Sequence, residues 1–139
     1  MDIKKAIYQV TMAPSVKYWM VPEWAAETSK CAISGTPNSF VHSTSIGTTS
    51  QSRTKIKAHD IIAYDSSGKL VGYLSVLTEG GPVGAFKILV REDAQKLGWA
   101  QKLLNEAERS GLDMISTVKV NSFTDSGRAA MIKWLKSKQ

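Results

Sequence analysis

One segment, Gly84 to Ser110, changes its hydrophobic period once, and that change constrains the fold more than any other feature of the chain. Gly84-Ala85-Phe86-Lys87-Ile88-Leu89-Val90 reads as a strand, set off upstream by the turn residues Glu79-Gly80-Gly81-Pro82. Past Arg91, Glu92 and Asp93 the apolar residues Leu103, Leu104 and Ala107 fall on one face of a helix expected from about Gln95 to Ser110, with Gly111 as its stop. The first amides of such a helix precede its hydrogen-bond ladder, and with the helix dipole they favour an anion. Gly98 costs roughly 1 kcal/mol against alanine in a helical turn. Its presence points to something that approaches the backbone closely there.

The rest of the chain supplies partners for this unit. Ile56 to Asp65 and Lys69 to Leu77 flank Asp65-Ser66-Ser67-Gly68, a good hairpin turn. Ile3 to Thr11, with Ile7, Tyr8 and Val10, is expected as a first strand. Val16, Trp19, Met20, Trp24 and Ala25 suggest helical turns over Pro14 to Lys30, broken at Pro22. Ser34 to Ser52 is uncharged and rich in serine and threonine, so a loop is expected there. Met114 to Val120 reads as a strand, and Asp125 or Ser126 to Lys136 as a closing helix. The expected order is β-α-α-β-β-β-α-β-α: an α+β (α/β) domain over residues 1–139, with a flexible connection at about 34–52.

Composition narrows the function classes. A single cysteine, Cys31, excludes an internal disulfide framework. The N-terminus runs straight into Lys4 and Lys5 with no secretory pattern, and the longest charge-free stretch is too polar for a membrane span. The cytoplasm, or a virion made there, is the expected location. A net charge of +6 suits a polyanionic partner, but the cations are dispersed, so a specific nucleic-acid site is not expected. No metal site is expected.

Gln95, Lys96, Leu97, Gly98, Trp99 and Ala100 resemble the acetyl-CoA signature of the GCN5-related N-acetyltransferase family: glutamine or arginine, two free positions, glycine, one free position, then glycine or alanine. Val90 and Asp93 upstream and the helix face behind it match as well, and the resemblance covers roughly Lys69 to Trp134. It implies acetyl-CoA as co-substrate and an amine as acceptor. Amides around Leu97 to Gln101 would cradle the pyrophosphate. The main chain of Leu89, Val90 and Arg91 would pair with the pantetheine arm where the family's fourth and fifth strands splay apart. Ser126 falls at the family's asparagine on the last helix, and Lys133 stands where the family has a tyrosine. The resemblance implies a base on the fourth strand, where Gly84 to Val90 holds no glutamate, so Glu79, Glu92, Asp93 and His59 remain as base candidates, and Asn121 could take the asparagine's role. The chain stops at Gln139, before two strands of the family. An edge exposed in this way would favour a homo-oligomer or larger assembly, with Trp99 and Trp134 as either contact or core residues. The alternative to an enzyme is a catalytically silent member of the same fold, a structural or adaptor protein similar to minor components of phage particles.

Overall fold

The computed structural model describes residues 2–17, 35–48, 55–81 and 83–139. Its first element is a helix, α1 (Ile3–Met12), where a strand was expected. Asp2 caps it by accepting the Lys5 N–H at 2.8 Å. Ala6 and Val10 are buried one turn apart, with Ile3 and Ile7 packed beside them. That is a spacing of three and four, and it outweighs the strand preference of the β-branched residues. The helical turns expected over Pro14 to Lys30 fall mostly outside the described residues. Pro14 to Val16 run beside Phe123, whose N–H donates to Pro14 O at 2.9 Å and whose carbonyl accepts from Val16 N–H at 3.0 Å.

Four antiparallel strands follow, paired in chain order: β1 (Phe40–Thr48), β2 (Lys55–Tyr64), β3 (Leu70–Glu79) and β4 (Phe86–Val90). β1 corrects the loop expected at 34–52. It pairs with β2 in unbroken register from Phe40↔Ala63 to Thr48↔Lys55. Its side chains are mostly exposed, so backbone pairing chiefly holds this strand, helped by Phe40 against the core and by His42 Nε2 3.0 Å from Glu106 Oε1. The β2–β3 turn forms as expected. Asp65 Oδ1 accepts from the N–H groups of Ser67 at 2.9 Å and Lys69 at 3.0 Å, and Gly68 takes the left-handed conformation at φ 81°.

One face of the sheet builds the core. Ile61, Ala63, Leu74, Val76, Phe86 and Ile88 join Leu103, Leu104 and Ala107 of α2 (Trp99–Arg109) and Met131, Trp134 and Leu135 of α3 (Asp125–Lys136) in one buried cluster. At Gly72 an added Cβ would stand 2.7 Å from Leu89 O and 3.3 Å from Leu103 Cδ1, so α2 lies directly on the sheet there. Trp134 is 1% exposed, and its indole N–H donates to Asn105 Oδ1 at 2.8 Å; of the two roles open to it, it is a core residue. α2 ends as foreseen at Gly111 (φ 93°). Gly111 N–H reaches Glu108 O at 3.0 Å and Leu112 N–H reaches Ala107 O at 3.1 Å, a Schellman motif. Arg128 on α3 donates to the carbonyls of Val10, Thr11 and Ala13 and so fastens the end of α1. No helix among the described residues is long and apolar enough to cross a membrane.

The strand expected over Met114 to Val120 is instead a 3₁₀ turn at Ser116–Lys119. Local side-chain bonds decide this. Asp113 accepts from Ser116 N–H at 3.2 Å and from its hydroxyl at 2.6 Å, and the Thr117 hydroxyl donates to Met114 O at 2.6 Å. Such bonds offer the backbone an alternative to a ladder. No fifth strand therefore pairs with β4 among the described residues, and the class stays α+β.

Candidate active site

Among the described residues β4 has one paired and one unpaired edge. Arg91 N–H donates to Val71 O and Leu77 N–H to Ala85 O, each at 2.7 Å. With Tyr73 opposite Leu89 and Ser75 opposite Lys87, the backbone of Ala85, Lys87, Leu89 and Arg91 turns toward β3. That of Phe86, Ile88 and Val90 turns outward. Of the three residues expected to present main chain to a ligand, Leu89 and Arg91 are thus committed inward, and Val90 alone faces the edge. Ile88 joins it, a residue sequence reasoning missed because nothing in the residue types fixes this parity.

Side-chain amides close both ends of the edge. Asn121 Oδ1 accepts from Phe86 N–H at 3.0 Å, while its Nδ2 donates to Gly84 O at 3.0 Å and Thr117 O at 2.6 Å. Both donor hydrogens and the acceptor are used, so Asn121 replaces part of a missing strand and is not placed to do proton chemistry. At the other end Gln95 Nε2 donates to Val90 O at 3.1 Å. The side chain of the signature glutamine thus folds back on the strand. Arg91 is likewise structural: its guanidinium bonds Asp65 Oδ2 at 2.9 Å, Leu70 O at 3.0 Å and Asp93 Oδ1. The Ser67 hydroxyl, then Arg91 and the Lys69 and Ser67 amides, hold the Asp65 carboxyl well below the usual carboxylate range.

Beyond β4 a single 3₁₀ turn, Glu92–Ala94, leads to Lys96 (φ 71°) and Gly98 (φ 87°), both left-handed. The first bond of α2 runs from Lys102 N–H to Gly98 O at 3.1 Å, so the amides of Trp99, Ala100 and Gln101 precede the ladder. An added Cβ on Gly98 would meet nothing within 4 Å. Lys96 and Leu97 are exposed, and the Lys102 ammonium lies 4.2 Å from the centre of the Trp99 ring. The Gln101 side chain donates to Ala130 O at 2.9 Å and locks α2 to α3. Among the described residues no second strand diverges from β4, so the opening expected between two strands is not found there. The space lies instead beside one unpaired edge.

Near the start of β4 a cleft of about 390 Å³ opens on the sheet face away from α2, and Tyr73, Ser75, Lys87, Asn121 and Ser122 are among its lining residues. Tyr73 is fully buried. Burial, and then the Asp60 charge, push its phenol far above its ordinary pKa, so it stays neutral. None of the expected bases is among the described residues lining this cleft. Glu79 and Glu92 are exposed at the end of β3 and just past β4. His59 lies on the α2 side of the sheet, opposite Val76 and 5.7 Å from the His42 ring. Ser126 lines a separate cleft with Ser15, Val16, Lys17, Thr124 and Asp125. Sequence reasoning missed Lys87 and Ser75 as lining residues, although one charge within an otherwise apolar strand was a readable signal.

Among the described residues, a strand with an unpaired edge runs through a left-handed glycine into a helix whose first amides precede its ladder, a geometry that favours an anion. A model of the acetyltransferase (GNAT) family matches residues 22–136, and the chain belongs to that family. Neither a curated protein nor a solved structure matches it. Membership supports acetyl transfer as the general activity, with acetyl-CoA as the family's usual donor.

Proposed function

We propose that the protein transfers an acetyl group from acetyl-CoA to an amine. The observation that carries this reading is the uncovered, glycine-opened start of α2 at the end of the β4 edge. The amides of Trp99, Ala100 and Gln101 would hold the pyrophosphate, with the Lys96 and Lys102 ammonium groups nearby to balance its charge. The outward N–H and C=O of Ile88 and the N–H of Val90 would pair with the amides of the pantetheine arm, as an added strand pairs with a sheet edge. Four residues of strand then carry the arm roughly 13 Å toward Phe86, beside the cleft.

There the amine nitrogen attacks the thioester carbonyl carbon. The C–N bond forms, the C–S bond breaks, and the sulfur leaves as thiolate, matched by the proton the amine gives up. Asn121 is consumed in structure, and Glu79 and Glu92 stand away from the cleft, so catalysis rests chiefly on orientation. Holding two reactants in line can supply up to about 7–11 kcal/mol. Calorimetric titration with acetyl-CoA, followed by assay of thiol release with a panel of amines, tests the reading. Binding well below about 1 mM with amine-dependent thiol release is expected. Absence of both at millimolar acetyl-CoA would instead leave the fold as a silent scaffold.

A further inference from the structure

We infer that the acceptor bears a carboxylate as well as its amine, and that Lys87 receives this carboxylate in the β3–β4 cleft. The inference rests on the acetyltransferase reading and names the substrate class of that same site. Lys87 is half-buried, the second residue of β4, and lines the cleft beside Ser75, its partner across the β3–β4 pair. Among the described residues no carboxylate lies within ion-pair distance of its ammonium. Asp60 shares the row, opposite Ser75 on β2, but it is buried, two strands away, and engaged elsewhere. Ser75, Tyr73, Asn121 and Ser122 are uncharged, and the rest of the described lining is apolar: Ala58, Leu77, Ala85 and Phe86.

A cation set in such a wall, partly shielded from water, attracts an anion more strongly than a fully solvated lysine does. The cleft is also near the lower end of the usual range for small-molecule sites. It therefore fits a compact amino acid better than a folded protein surface. The amine would face the β4 edge, where the thioester arrives, and the carboxylate would face the Lys87 side chain. A lysine on an edge strand can also serve only to discourage strand-to-strand association, and that role makes different predictions.

The test compares amino acids with their carboxamides, methionine against methioninamide and phenylalanine against phenylalaninamide, in the acetyl-CoA-dependent thiol assay. Wild type should favour the acids by roughly tenfold or more in kcat/KM, a ratio one charge-assisted hydrogen bond can supply. Lys87→Met should erase the preference mainly through KM, Lys87→Arg should keep it, and Lys87→Glu should turn it toward the amides. A binding arm needs no turnover: N-acetylmethionine, and not its amide, should shift the NMR signals of Ala85 to Lys87. Equal rates for acids and amides in wild type, or an unchanged preference in Lys87→Met and Lys87→Glu, would overturn the inference. So would Lys87→Met causing self-association while specificity stays unchanged. Failure of the underlying acetyltransferase reading looks different, since acetyl-CoA itself would then not bind.

Discussion

The two ends of the β4 edge solve the same problem with unequal force. An edge strand exposes backbone groups that seek partners. At the Phe86 end one asparagine satisfies three of them, drawn from β4, the turn before it and the 3₁₀ turn beyond. At the Val90 end one exposed glutamine satisfies a single carbonyl. Between them the outward groups of Ile88 and the N–H of Val90 are left for something else. The tight end fixes where the strand begins, and the loose end lets the turn toward Gly98 stay uncovered. A protein can thus leave a sheet edge accessible to a ligand by capping its ends with side chains, without adding a strand.

The Asn121 end should carry the larger share of stability. Asn121→Ala should remove three hydrogen bonds, those to Phe86 N–H and to the Gly84 and Thr117 carbonyls, and cost about 3 kcal/mol, at about 1 kcal/mol per bond. Urea denaturation should show this as a lowered midpoint, and a midpoint equal to wild type would refute the clamp. Gly98→Val comes next. Its left-handed backbone should cost about 1–2 kcal/mol of stability, and the new side chain should weaken acetyl-CoA binding by roughly tenfold or more by blocking the open space, as read by calorimetry. Unaltered affinity in a folded Gly98→Val protein would move the anion away from this turn.

Asp65 makes the Val90 end sensitive to acid. Its folded-state pKa lies below the unfolded value of about 3.9. The stability it contributes is therefore present above about pH 4 and is lost as the pH falls through the folded value. Asp65→Asn should flatten the acid limb of a stability–pH curve, and it should loosen Arg91 at the Val90 end more than Asn121 at the other. The smallest effect is expected for Gln95→Ala. One exposed hydrogen bond is worth about 0.5–1 kcal/mol, so thermal melting should barely move, and a large drop would mean that the two ends are held alike.

Legibility in the sequence followed the physics of each segment. The β2–β3 hairpin, β4, α2 and α3 could be read because a turn aspartate, terminal glycines and one clear change of period all agree there. α1 was misread because its β-branched residues suggest a strand while its Ala6–Val10 spacing makes a helix. β1 was missed because an exposed edge strand buries little and so leaves no alternating pattern. The strand expected at Met114 to Val120 was lost to Asp113, Ser116 and Thr117, whose side chains compete for the backbone. For the site, the glycine and the helix start were legible. Which residues of β4 face outward was not, since parity depends on pairing between strands. Lys87 was visible as a lone charge, but only the fold shows that it borders a cleft.

Gly72 gives the arrangement its height. With no side chain between β3 and Leu103, α2 settles against the sheet, and the amides at its start lie level with the end of the strand that leads into it. A single methyl at that position would act as a shim under the helix. It would tilt the proposed anion seat away from the strand edge, although neither the seat nor the edge had itself been altered.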